Sequence, residues 1–188
     1  EAMYEYGKML YKGEGMPRNE KEANTFFEMS KRNGCRKSEI FLLKDQEKCK
    51  LLKDAADNGD SDAMFKYGVR LFRGESVRPN LKEACNYFKM AADQGQVSAL
   101  YNYGLLLSIG KGVPLDIKEA SRYYKMAADK GHVTSMNNYG VMLKNGEGVP
   151  KDMKEAGRYF KMAADKGQVN AQFNYGTLLS IGDGVPIN

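Results

Sequence analysis

Apolar residues recur along this chain at helical intervals, in paired blocks separated by glycine-rich turns. In the stretch SALYNYGLLLSIGKGVP, Ala99, Leu100, Tyr103, Leu106 and Leu107 share one helical face. In LDIKEASRYYKMAADKG the same spacing joins Ala120, Tyr123, Tyr124, Ala127 and Ala128. Each block therefore predicts one amphipathic helix. The GKGVP between them supplies the break. Gly110 and Gly112 can take positive φ and stop the first helix, and Pro114 cannot continue a helix interior. Asp116 then stands where an N-cap or first-turn acid belongs, and Gly131 ends the second helix.

The pattern repeats. Gly68, Gly104, Gly140 and Gly176 are spaced by 36 residues, as are Gly59, Gly95, Gly131 and Gly167, and also Pro114, Pro150 and Pro186. A tandem array over 1–188 follows, with units of about 1–34, a shortened unit 35–59, then 60–95, 96–131, 132–167 and a partial unit 168–188. The recurrent loops GEGMP, GKGVP, GEGVP and GDGVP are thus turns between helices. They do not cradle phosphate, because no Lys-Ser/Thr pair follows at the required spacing. A glycine inside a helix costs roughly 1 kcal/mol against alanine. Its recurrence at 68, 104, 140 and 176 predicts close approach of a neighbouring helix, with Ala91, Ala127 and Ala163 as the matching small surface. Tyr6, Tyr67, Tyr103, Tyr139 and Tyr175, each just before such a glycine, are expected at the helix interface.

One unit is broken. Gly34 and Gly59 are only 25 residues apart. QEKCKLLKDAADNG reads as a second helix, but CRKSEIFLLKD before it is a poor first helix with no glycine loop. Either a short helix with a tight turn or one helix running into the next satisfies the pattern.

Composition narrows the function classes. With 42% apolar and 28% charged residues the chain is of the soluble globular class. No apolar run reaches the roughly 18 residues of a membrane span, so no membrane insertion is expected. The +5 charge is spread through the sequence without a Lys/Arg block, so no nucleic-acid partner is expected. Cys35, Cys49 and Cys85 lack metal or disulfide spacing. They are read as reduced, small apolar helix residues in a reducing intracellular compartment. His132 is the only histidine and occupies a position held elsewhere by Gln96 and Gln168; it reads as a polar turn residue. Without a second histidine or a ligand cluster, no catalytic residues, metal site or cofactor are expected. The carboxylates of KEA and KMAADK read as solvated charge pairs. The sequence opens EAMYEYG, already in mid-pattern, so the native N-terminus is expected to lie upstream.

The whole unit, A-x-x-x-Y-G-x-x-L-x-x-G-x-G-V-P-x-D-x-K-E-A-x-x-Y-x-K-M-A-A-D-x-G, resembles the Sel-one-like repeat (SLR) family, a relative of the tetratricopeptide repeat. The departures are the shortened unit and the GESVR loop, where Ser76 replaces a glycine and Arg78 a proline. The resemblance implies an all-α fold, an α/α right-handed superhelical solenoid, and a role as adaptor or scaffold for protein complexes. A cysteine-rich secreted branch of the family would need paired cysteines in each repeat. Here Cys49 and Cys85 fall at equivalent positions of stacked second helices, roughly 9 Å apart and too far for a disulfide.

By analogy with tetratricopeptide superhelices, the first helices line the concave face. Positions three and two before each internal glycine then face the groove and give the candidate binding residues Phe65, Lys66, Tyr101, Asn102, Asn137, Asn138, Phe173 and Asn174. A primary amide offers donor and acceptor together, so the row Asn102, Asn138 and Asn174 can clamp an extended peptide backbone, or instead satisfy local helix groups. Two functions are compatible with this: a non-catalytic scaffold binding a protein or peptide, or a regulatory repeat domain of a larger enzyme. The sequence ends at GDGVPIN, before a further second helix, which predicts self-association through an uncapped C-terminal end.

Overall fold

The computed structural model describes residues 1–182 and is all-α over them. Ten helices follow in order: α1 (Ala2–Lys12), α2 (Glu20–Arg32), α3 (Arg36–Asp57), α4 (Ser61–Arg73), α5 (Leu81–Asp93), α6 (Val97–Ile109), α7 (Ile117–Asp129), α8 (Val133–Asn145), α9 (Met153–Asp165) and α10 (Val169–Ile181). They form helical pairs arranged as repeats. The chain divides into two units, Glu1–Tyr87 and Phe88–Asn188.

Helix boundaries follow from capping chemistry. Asp116 caps α7 as expected, its Oδ1 accepting from Glu119 N at 2.8 Å. Asp152 does the same for α9. Asn19 and Asn80 cap their helices in the same way, and each Nδ2 also donates to the glutamate three residues on. The connections are also pinned backwards. Asn19, Asn80, Asp116 and Asp152 each donate a backbone N–H to a leucine carbonyl of the preceding helix: Leu10, Leu71, Leu107 and Leu143. Gly110, at φ 64°, ends α6 in the left-handed conformation that the turn requires. The GDGVPIN turn after Gly182 lies outside the described residues.

The tyrosines before the internal glycines lie at the helix interface. Tyr67–Tyr87, Tyr103–Tyr123 and Tyr139–Tyr159 form near-identical edge-to-face pairs, with centroids 4.8–4.9 Å apart at 86–87°. Gly7, Gly104 and Gly140 do sit against a neighbouring helix, but the partner differs from the expected alanines, whereas a Cβ on Gly176 would meet nothing within 4 Å. A Cβ on Gly140 would lie 2.7 Å from Phe160 Cε1, and one on Gly7 2.8 Å from Phe27 Cε1. On Gly104 it would lie 3.3 Å from Tyr124 Cδ1 and 3.4 Å from the Ala120 carbonyl. Ala127 and Ala163 are fully buried, yet an aromatic side chain, not a small one, fills the space left at Gly7, Gly104 and Gly140.

In the unit Glu1–Tyr87 the shortened repeat resolves into one continuous helix. The 22-residue α3 runs through the position where a glycine turn would stand. Phe27 is fully buried with its ring 4.3 Å from that of Phe41 on α3. α3 also carries Asp45, buried at 6% exposure. Arg70 pairs with Asp45 at 3.6 Å, and the Ser76 hydroxyl donates to Asp45 Oδ2. This accounts for Ser76 in the GESVR loop. It holds φ 61° where other repeats have glycine, and its side chain supplies a donor that glycine lacks.

In the unit beginning at Phe88, a core of Tyr124, Met136, Leu143, Tyr159, Phe160 and Leu178 joins α7 to α10. Successive repeats within each unit are further tied by one recurring hydrogen bond. Tyr87 Oη donates to Asp57 at 2.6 Å, Tyr123 Oη to Asp93 at 3.2 Å, and Tyr159 Oη to Asp129 at 2.7 Å. Burial, then the carboxylate acceptor, push the Tyr87 phenol up to about 12, so it remains a donor. The aspartates of the KMAAD and DAAD segments are thus more than solvated partners of Lys53, Lys89 and Lys125.

Candidate partner-binding surface

Six of the eight candidate residues lie on α6, α8 and α10. Their caps set the register of these helices. Gln96, His132 and Gln168 each accept the backbone N–H three residues on: Ala99, Ser135 and Ala171. The repeat position read as a turn residue is therefore the N-cap, and His132 performs it through Nδ1, 3.2 Å from Ser135 N. That bond needs a lone pair on Nδ1, hence a neutral imidazole. Burial lowers the His132 pKa and favours that form. The His132 ring stacks at 4.7 Å on Tyr101, which places it beside the candidate surface.

The amides divide into different roles. Asn102 Nδ2 donates to Ser98 O at 2.7 Å, along its own helix. Asn174 Nδ2 donates to Asn137 Oδ1 at 2.9 Å, a rung between α10 and α8. Asn137 is 7% exposed. Burial raises the Tyr124 phenol pKa, and Ser108 and Asn138 oppose the rise. Each amide has two N–H groups and a carbonyl oxygen, so one internal bond leaves capacity for a partner. Tyr101, Asn102, Asn138 and Asn174 are half-buried, and Phe173 is 75% exposed.

Phe65 and Lys66, on α4, belong to the other unit. Both line a cavity of about 320 Å³ together with Tyr11, Arg18, Val69 and Arg70. Among the described residues no group of His, Cys, Asp or Glu side chains is placed to hold a metal ion. No described helix is long and apolar enough to cross a membrane.

The Sel1 repeat pattern matches residues 1–35, 61–96, 97–132, 133–168 and 169–188. The chain belongs to the Sel1 repeat family. The stretch left unmatched contains the whole of α3, where the glycine turn is lost. Among solved structures, the chain is similar to a Sel1 repeat protein from Oxalobacter formigenes, at 26% identity and TM-score 0.69, over all of this chain and 67% of that one. It is also similar to c5321, a protective antigen of uropathogenic Escherichia coli with an SLR fold, at 25% identity and TM-score 0.72, over all of this chain and 42% of that one. Helicobacter pylori cysteine rich protein B shares the fold over 67% of this chain, at 20% identity and TM-score 0.54. No curated protein matches. The Sel1 chain thus spans about two thirds and two fifths of the lengths of the first two. The Sel1 fold is typical of protein–protein interaction scaffolds and is generally non-catalytic.

Proposed function

We propose that this Sel1-repeat chain is an interaction scaffold that binds an extended segment of a protein partner along α6, α8 and α10. The observation that carries the reading is the Asn137–Asn174 rung with Asn102 and Asn138 at the equivalent places on α6 and α8. Repeats that present the same polar group at each step suit a ligand with its own regular spacing of backbone N–H and C=O groups. Tyr101 and the exposed Phe173 provide apolar contacts for side chains. In the other unit the Phe65–Lys66 cavity is a second contact point, one that takes an apolar or acidic side chain.

Photo-crosslinking by position tests this. A photoreactive residue at Asn102 or Asn138 is expected to capture the same partner protein, and one at the exposed Lys125 on α7 is not. Equal capture from Lys125, or different proteins from positions 102 and 138, contradicts the proposal.

A further inference from the structure

Cys35 stands apart from the other two cysteines. Cys49 and Cys85 are buried inside helices, and burial raises both thiol pKa values. Cys35, expected as a helix residue, is instead the N-cap of α3 and is half-exposed. Its backbone is held on both sides. Its N–H donates to Ser30 O at 3.0 Å, and its carbonyl accepts from Ser38 N at 3.1 Å.

The surroundings of the sulfur are unusual. Ser38 is fully buried and its hydroxyl makes no hydrogen bond, an exception among buried polar groups. Ser38 is the third residue of α3 after the Cys35 cap, and its hydroxyl favours the ionised form of the Cys35 thiol. Ser30, 2% exposed, brings a second hydroxyl from the end of α2, and the Ser38 and Lys37 backbone N–H groups add the positive end of a 22-residue helix. These donors, the Ser38 hydroxyl foremost, hold the thiol down to about 7. Cys35 itself is half-exposed, which leaves the thiol open to a reagent. The chain on either side of Cys35 is cationic. Lys31 and Arg32 end α2, and Arg36 and Lys37 begin α3. Opposing them are Glu39 on α3, Glu5 on α1 and Glu1 at its N-cap, the last paired with Lys37 at 2.6 Å.

We propose that Cys35 is a covalent modification site that exchanges with anionic low-molecular-weight disulfides. The thiolate, having lost its proton to solvent, attacks one sulfur of the incoming disulfide. The reagent S–S bond breaks, a mixed disulfide forms at Sγ, and the other half leaves as a thiolate with the electron pair. The thiolate is the reactive form, and the Ser38 hydroxyl with the helix terminus stabilises it where it stands. The four cations raise the local concentration of a negatively charged reagent.

The test is the rate of thiol modification against pH, using dianionic 5,5′-dithiobis(2-nitrobenzoate) and neutral 4,4′-dithiodipyridine on the intact chain. One thiol per chain is expected in a fast phase with a midpoint near 7, below the roughly 8.5 of a free cysteine. The dianionic reagent alone should slow as salt rises. Cys35→Ser should remove the fast phase. Ser38→Ala should keep it and raise the midpoint, slowing reaction at pH 7 several-fold. A fast phase that survives in Cys35→Ser, a wild-type midpoint near the free value, or an unmoved midpoint in Ser38→Ala overturns the assignment.

Discussion

The internal glycines allow the packing argument to be tested with one substitution at equivalent places. Glycine to alanine gains about 1 kcal/mol of helix propensity wherever the methyl fits. At Gly176 on α10 a Cβ meets nothing within 4 Å, so Gly176→Ala should stabilise by about that amount. At Gly104 the contacts are 3.3–3.4 Å, and the gain should be cancelled by small shifts of Tyr123 and Tyr124. At Gly140 the methyl would lie 2.7 and 2.8 Å from two ring carbons of Phe160, whose side chain is fully buried and has no free direction to move. Overpacking of this kind costs roughly 1–3 kcal/mol, so Gly140→Ala should destabilise by about 1 kcal/mol net. Urea unfolding followed by circular dichroism, with native-state amide exchange to localise the effect on α8 and α10, measures the series. Replacing Phe160 by Leu in the Gly140→Ala background should cost less than the sum of the two changes. If Gly140→Ala stabilises as much as Gly176→Ala, close approach is not why these positions are glycine.

Other outcomes follow from the same contacts. Burial lowers the His132 pKa from its ordinary 6.5, so the unfolded chain binds more protons between the two values. The His132 contribution is therefore complete above about 6.5 and is lost as pH falls below it; the difference in stability between wild type and His132→Gln, which keeps a cap like Gln96 and Gln168, should shrink or reverse on acidification, and a pH-independent difference refutes the neutral cap. Tyr159→Phe removes the bond to Asp129 and should cost about 1 kcal/mol in urea unfolding, whereas no change would mean the inter-repeat bond contributes nothing. We also propose self-association through α10, where Val169 and Phe173 are 74% and 75% exposed. Sedimentation velocity should show mass rising with concentration and falling back in Phe173→Asp, and a concentration-independent monomer contradicts it.

Much of this fold could be read from periodicity, because a repeat of 36 residues fixes which positions share a helical face. The Asp116 cap and the tyrosines beside Gly104 and Gly140 followed from that alone. Periodicity does not say which atoms meet across two helices. Alanines were expected opposite the internal glycines because small faces small, whereas Phe160 and Phe27 use the missing side chain as a slot for a ring. The bonds from Tyr123 to Asp93 and from Tyr159 to Asp129 were present in the sequence as a recurrent spacing of 30 residues, hidden because each aspartate also has a lysine four residues before it. The broken unit left two conformations open, and the continuous α3 exists because no residue in CRKSEIFLLKD terminates a helix. At the candidate surface, spacing named the amide row but could not show that Asn174 turns inward to Asn137 while Asn102 bonds its own helix.

That rung decides how the central claim is measured. Asn174→Ala would leave Asn137 Oδ1 buried without its donor, at a cost of roughly 1–3 kcal/mol in stability, and would confuse folding with binding. Asn102→Ala with Asn138→Ala avoids this. Titration calorimetry of the double variant against the partner fixed by crosslinking is the direct measurement. About 1 kcal/mol for each lost hydrogen bond predicts roughly 30-fold weaker binding with helical content unchanged. Undiminished affinity in a folded double variant would contradict a partner-binding face on α6 and α8.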